Sequence, residues 1–218
     1  MQMENIYPII SIGRSFGAGG RAIGRELSRI LEIPFYDQEL LKEAARECGF
    51  PSDVFARVDE KRPSALKRLV TQMYGVQEAF NYSANFTSEN IYQAQSLVIR
   101  AIAKRGPAIF IGRTADYVLR DFPGLLKVFI HAPLSYRALK IVERGDASTE
   151  EEAIELARRK DRCRRDYYNY FTGRHWGSAS NYDFSLDASL MSAQKCAEVI
   201  AFFLKLIQNN PCGCQPVI

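Results

Sequence analysis

The residues best suited to chemistry in this chain lie between Ser15 and Ala22, in the stretch GRSFGAGGRA that begins at Gly13. Apolar Ile9, Ile10 and Ile12 precede it, and Ile23, Leu27, Ile30 and Leu31 recur after it at helical spacing. The pattern reads strand, glycine-rich loop, helix. Such a loop points several backbone N–H groups into one concavity at the positive end of a helix dipole, and the ligand that suits it is a phosphate. Glycine lets the chain take φ > 0 and approach the anion with no Cβ in the way. The expected phosphate contacts are Ser15, Gly17, Ala18, Gly19, Gly20, Arg21 and Ala22. The structural alternative is a turn whose glycines let a strand and a helix pack closely.

The stretch resembles the P-loop pattern GxxxxGK[ST] with changes in either register. If Gly20 is the last loop glycine, Ser15 stands at the first Gly, Arg21 at the Lys and Ala22 at the Ser/Thr. If Gly19 is, Gly20 replaces the Lys and Arg21 the hydroxyl. Neither register keeps the lysine together with the hydroxyl that binds magnesium. The first is preferred, because Arg21 then still brings a cation to the phosphate.

A second chemical feature is the run from Arg158 to Arg165, which holds six cations in eight residues. It continues a helix whose start is marked by a capping box, Thr149 with Glu152. At helical spacing Arg158, Arg162 and Arg165 share one face, and Asp161, Arg164 and Tyr168 share another. The first face is expected to reach phosphates, with Asp161 holding Arg164 or Arg165. A solvated basic helix is the alternative. Tyr167, Tyr168 and Trp176 beside it could stack on bases or serve as packing.

The elements that must position these groups alternate along the chain. Apolar runs at 33–36, 108–111, 126–130 and 182–187 read as further strands. Helices are expected at 38–48, 87–104, 136–144, from 149 onward, and at 188–208. Alternation of this kind means an α/β fold with a parallel sheet and right-handed crossovers. Ligands then bind beyond the carboxyl ends of the strands, where Asp37, Gly112-Arg113 and His131 also fall. Residues 51–86 carry no strand pattern and read as an inserted helical sub-domain or lid.

The chain of 218 residues is 47% hydrophobic with a net charge of +4, ordinary for a globular protein and mild for a general nucleic-acid binder. Five cysteines, an odd number, suit a reducing compartment. Cys212-Gly-Cys214 lacks a second pair and reads as a free tail rather than a metal site. No run is long and apolar enough for a membrane span and no leader pattern opens the chain, so a cytoplasmic location is expected.

In order, SIGRSFGAGGRAIG, PFYDQELL, IFIGRTADYVL, KVFIHAPLSYR, KDRCRRDYYNYFTG and NYDFSLDAS resemble the cytidylate kinase-like branch of the P-loop nucleoside monophosphate kinases. The resemblance implies a single domain over 1–218 with a five-stranded parallel core and helices on both faces. It implies a monophosphate-binding helical insertion over about 51–104 and a mobile basic lid over about 148–178. The implied reaction is transfer of the γ-phosphoryl of ATP, with Mg2+, to a nucleotide such as CMP. Residue by residue, Gly17, Gly19, Gly20 and Arg21 fall on the phosphate loop, and Asp37 where relatives begin their monophosphate site. Arg113 falls where the acceptor is held. Arg158, Asp161, Arg162, Arg164 and Arg165 fall in the lid; the arginines of the first face, together with Arg21, are the implied catalytic cations, and Asp161 and Arg164 lie on the acceptor. The source of metal ligands is unknown. Two departures stand out: the altered loop, and Ile111, where cytidylate kinases proper carry an acidic residue before the Gly-Arg pair. The partners implied are small nucleotides, with homo-oligomerisation open and no membrane or nucleic acid. The competing readings are a nucleotide-binding sensor with little turnover and an RNA-binding module.

Overall fold

Strand β1 (Ile9–Arg14) is the centre of the molecule, and its sequence explains why. Ile9, Ile10 and Ile12 are fully buried on alternating sides, as a strand covered on both faces requires. In this computed structural model, which describes residues 7–37 and 88–209, β1 pairs in parallel with β3 (Ala108–Ile111) on one side and with β4 (Leu125–His131) on the other. The outer strands are β2 (Phe35–Tyr36) against β3 and β5 (Phe184–Asp187) against β4. The order is β2-β3-β1-β4-β5, all parallel, with Ile9 opposite both Ala108 and Leu125. The chain crosses from one side of β1 to the other between β3 and β4, so the crevice at the carboxyl end of β1 is the topological switch point.

The helices are α1 (Gly20–Leu31), α2 (Ser88–Arg105), α3 (Ala115–Val118), α4 (Leu134–Glu143), α5 (Glu150–Thr172) and α6 (Ala193–Asn209). Ile10, Ile12, Ile109, Ile111, Val128 and Ile130 pack one sheet face against α1 and α6. Ile9 and Phe110 turn to the other face and meet Val98, Ile99 and Ile102 of α2 with Ala115 and Val118 of α3. A third, smaller cluster joins α4 to α5 through Ala138, Ile141, Ala153 and Ala157, with Phe16 of the loop packed on it. The loop therefore rests on the sheet below and on the α4–α5 pair beside it.

Several boundaries differ from the sequence reading. The strand expected over 33–36 is only two residues long, because Ile33 finishes the exit from α1: its N–H and carbonyl are both taken by Ser28. The last helix starts at Ala193 rather than 188, since Asp187 accepts from the N–H and hydroxyl of Ser189 and holds a turn there. Helix α3 has no counterpart in the expected elements. The start of α5 behaves as expected, with Thr149 accepting from the N–H of Glu152, while the Glu152 carboxylate takes the N–H of Ser148 rather than that of Thr149. The helix expected at 38–48, the insertion over 51–86 and the tail with Cys212 and Cys214 lie outside the described residues. Among the described residues no helix is long and apolar enough to cross a membrane.

Candidate functional site

The glycine loop leaves β1 at Ser15, whose N–H donates to the carbonyl of Ile130 at 3.0 Å. Gly17 and Gly19 take φ of 83° and 78°. At Gly17 a Cβ would meet the Arg137 carbonyl at 2.9 Å, so this glycine allows the loop to lie on α4. At Gly19 nothing lies within 4 Å of an added Cβ, so the requirement is the backbone angle and the open space above it. Gly19 is the left-handed N-cap of α1, and the helix begins at Gly20. The conformationally demanded last glycine of the loop is therefore Gly19, which selects the second register: Gly20 occupies the lysine position and Arg21 the hydroxyl position. The Arg21 side chain, expected on the phosphate, pairs instead through Nε with Asp37 at 2.6 Å. The first-turn N–H groups of α1 have no carbonyl one turn back within the helix and open onto the same concavity.

A clasp fixes the loop from the side. Asp161 of α5 accepts from the N–H of Phe16 at 2.7 Å and from Nη1 of Arg137 at 2.6 Å. Arg137 of α4 also donates to the carbonyl of Phe16 at 3.0 Å. One carboxylate and one guanidinium thus grip both backbone polar groups of a single loop residue. Arg164 is 3.8 Å from Asp161 and gives its shorter bond, 3.2 Å, to the carbonyl of Arg14. The Arg144 and Arg164 guanidinium groups lie over the Phe16 ring at 5.4 and 5.3 Å.

Beside this clasp lies a cavity of about 350 Å³ between the loop, the end of β3 and α5. Arg14, Arg113, Lys160 and Arg164 line it, with Asp116 as the carboxylate among its walls. Arg14 is half-buried, and burial followed by repulsion from Arg164 and Arg113 pushes its pKa down to about 9. Arg113 and Arg164 are lowered too, each chiefly by burial. Guanidinium groups keep their protons at neutral pH, so these shifts express chiefly the cost of burying cations, with repulsion between neighbouring cations added at Arg14 and Arg164. A phosphate entering the cavity would relieve it. Gly112, Arg113 and Thr114 all take the left-handed conformation, with φ of 70°, 58° and 55°. For a β-branched threonine this is a strained geometry, of the kind that clusters at functional sites. On the far wall Asp116 accepts from the Tyr168 hydroxyl at 2.6 Å, and burial raises the Asp116 carboxyl above its ordinary range.

The structure brings together only part of the expected set. Arg113 and Arg164 meet at the cavity, and Asp161 stands beside it on the loop. Asp37 is buried at the end of β2, with Arg21 on it. Arg158, Arg162 and Arg165 are exposed and do not line the cavity. From α5 the cavity is lined instead by half-buried Arg164 and Tyr167, with exposed Lys160 at its edge. The outward position of Arg158, Arg162 and Arg165 has a simple cause. Ala153 and Ala157 seat α5 on α4, and the helical phase from those two alanines decides which cations point outward. Tyr167 meets Tyr92 edge-on and Phe171 at a tilt, and Trp176 sits edge-on to Phe129; both Tyr167 and Trp176 also line the cavity. The His131 side chain is exposed. Arg14 was missed; its signal was a cation at the last position of the central strand.

The model of the cytidylate kinase-like family matches residues 9–190. The chain belongs to that family. It is 28% identical over 180 residues to the cytidylate kinase of Methanothrix thermoacetophila, covering 82% of this chain and 87% of that protein. It is 23% identical over 192 residues to the cytidylate kinase of Pyrobaculum aerophilum, covering 88% and 89%. Among solved structures, an uncharacterized protein from Eubacterium ventriosum superposes with a TM-score of 0.68 at 22% identity, over 91% of this chain and 98% of that one. A gluconokinase from Sinorhizobium meliloti does so at 0.52 and 13% identity, over 97% and 100%. The five-stranded parallel sheet with its glycine loop is thus a P-loop kinase fold, and the family is one of nucleotide kinases.

Family membership raises the question of magnesium, which in kinases enters with the triphosphate. The loop position that supplies a hydroxyl to the ion holds Arg21 here, and its guanidinium sits on Asp37. The usual P-loop ligand does not fit this chain. Among the described residues no three His, Cys, Asp or Glu side chains form a metal-binding group.

Proposed function

We propose that this protein is an ATP-dependent nucleoside monophosphate kinase, with CMP as the acceptor suggested by the names of its curated relatives. The observation that carries the reading is the convergence of Arg14, Arg113 and Arg164, from two strand ends and a helix, on one cavity beside the glycine loop. The triphosphate lies along the loop N–H groups from Gly17 to Ala22 and the N-terminus of α1. The acceptor phosphate is held by Arg113 and Arg164 across the cavity. An oxygen of that phosphate forms a bond to the γ-phosphorus while the bond from phosphorus to the β–γ bridging oxygen breaks, and ADP leaves with the electron pair. The chain's part is alignment and charge neutralisation, which are the main demands of phosphoryl transfer. Its planar, bidentate guanidinium groups suit the equatorial oxygens that gather charge.

A second reading, a nucleotide-binding protein with little turnover, is favoured by one observation. Ile111 is buried against Gly24 of α1, so the acidic side chain that cytidylate kinases proper carry before the Gly-Arg pair is replaced by core. The deciding experiment measures ADP release from ATP with CMP, UMP, AMP, GMP and a hydroxyl acceptor, each with and without magnesium. Acceptor-dependent turnover with one or more monophosphates is expected. ATP binding without turnover on any acceptor supports the second reading and overturns the first.

A further inference from the structure

The loop lacks a lysine, so some other side chain must bring the cation that a P-loop presents to the donor phosphates. With Gly19 as the last loop glycine, the seven positions of GxxxxGK run from Arg14 to Gly20. Both ends of the pattern are exchanged. An arginine stands where the pattern has its first glycine, and a glycine stands where it has its lysine.

The two exchanges are complementary in space. A Cβ added at Gly20 would come within 2.9 Å of both Cβ and Cγ of Arg14. The far end of the same side chain lies over Gly112, where an added Cβ would overlap Nη1 of Arg14. Gly20 is outside the left-handed region, so its backbone angles do not call for glycine; the space does. Two glycines on different elements keep a path open for one arginine. The carbonyl of Arg14 is tied to Nη1 of Arg164, and its guanidinium ends in the cavity between loop and β3.

We propose that Arg14 is the cation of this phosphate loop, reaching from the strand side the place that a loop lysine reaches from the helix side, and that Gly20 is glycine because Arg14 passes over it. This rests on the kinase reading above. It makes Arg14 the group shared between donor and acceptor, because Arg113 and Arg164 flank it on the acceptor side. The fork of an arginine can hold two phosphate oxygens at once, which a lysine cannot do.

The test is ATP affinity of the full chain, by calorimetry, for Arg14→Gly, Gly20→Lys, and the double variant that restores GxxxxGK. Loss of a charge-assisted contact predicts a fall of about ten- to a hundredfold for Arg14→Gly. Gly20→Lys alone is expected to bind ATP more weakly than wild type, because its stem collides with that of Arg14. The double variant is expected to recover at least about tenfold over Arg14→Gly, since the new lysine enters a vacated path. Circular dichroism checks each fold. Should Arg14→Gly not fold, Gly20→Ala in the wild-type and Arg14→Lys backgrounds replaces it. The added methyl is expected to weaken ATP binding in both, and unchanged affinity in both overturns the proposal. A folded Arg14→Gly that binds ATP like wild type also overturns it, as does a double variant no better than Arg14→Gly. Wild type that binds no ATP at all overturns the kinase reading, and this inference with it.

Discussion

The clasp on Phe16 allows a worked perturbation, Asp161→Asn. The carboxylate accepts two short bonds, at 2.7 Å from the Phe16 N–H and 2.6 Å from Arg137. The Asp161 and Arg137 side chains are only 18% and 12% exposed, so the pair lies between the surface and buried limits. An exposed pair contributes about 0–1 kcal/mol, and breaking a fully buried one costs about 3–5 kcal/mol. Asparagine keeps an oxygen for the Phe16 N–H but leaves Arg137 facing a neutral amide. We expect a loss of about 2–3 kcal/mol. In a domain of this size each kcal/mol moves Tm by roughly 2–4 °C, so a fall of about 4–12 °C should follow. ATP affinity should fall with it, because the loop loses its side anchor. The informative assay is a double-mutant cycle by urea denaturation with Arg137→Met, which takes away the cation that Asp161→Asn strands. The double variant should be less destabilised than the sum of the singles by at least about 1 kcal/mol. Losses that add within about 0.5 kcal/mol would refute the clasp.

Arg113→Ala should weaken acceptor binding by about 2 kcal/mol or more, roughly thirtyfold, and leave ATP affinity within about threefold; equal losses for both ligands, read by calorimetry, would break the division of the site. On α5, Lys160→Ala and Arg164→Ala should lower kcat, whereas Arg158→Ala, Arg162→Ala and Arg165→Ala should stay within about twofold of wild type, since their side chains point to solvent. Steady-state kinetics on a verified acceptor decides this, and reduced kcat in the outward set alone would reverse it. The Asp116 carboxyl is held above its ordinary range by burial. A raised acid binds more protons folded than unfolded between the two pKa values, so its contribution to stability falls as pH rises through that window. Asp116→Asn, which can still accept from Tyr168, should therefore gain on wild type as pH rises from about 4 to about 8, and parallel denaturation curves over that range would contradict the assignment.

The sequence by itself determined the layers and the side of the sheet on which chemistry is done. The isoleucines of β1 and the runs at 108–111 and 126–130 can only be strands covered on both faces, and the glycines after β1 can only be a tight turn into a helix. Those are local properties, set by side-chain period and backbone freedom, and they survive without knowledge of the rest of the chain. Arg113 was legible for the same reason, as a cation at a strand end. What the tertiary structure alone decided was which cation goes where. The register of the loop turned on Gly19 being the left-handed N-cap, and that is a backbone angle, not a spacing. Arg14 is a cation at a strand end too, but the path it takes over the loop became visible only when Gly20 and Gly112, ninety-two positions apart in sequence, were seen to clear it. The face of α5 was set by its seating on α4 through Ala153 and Ala157, which puts Arg164 and the exposed Lys160 on the cavity and leaves exposed Arg158, Arg162 and Arg165 off it. A helical wheel fixes which residues travel together, but the direction each group points comes from the neighbour the helix leans on.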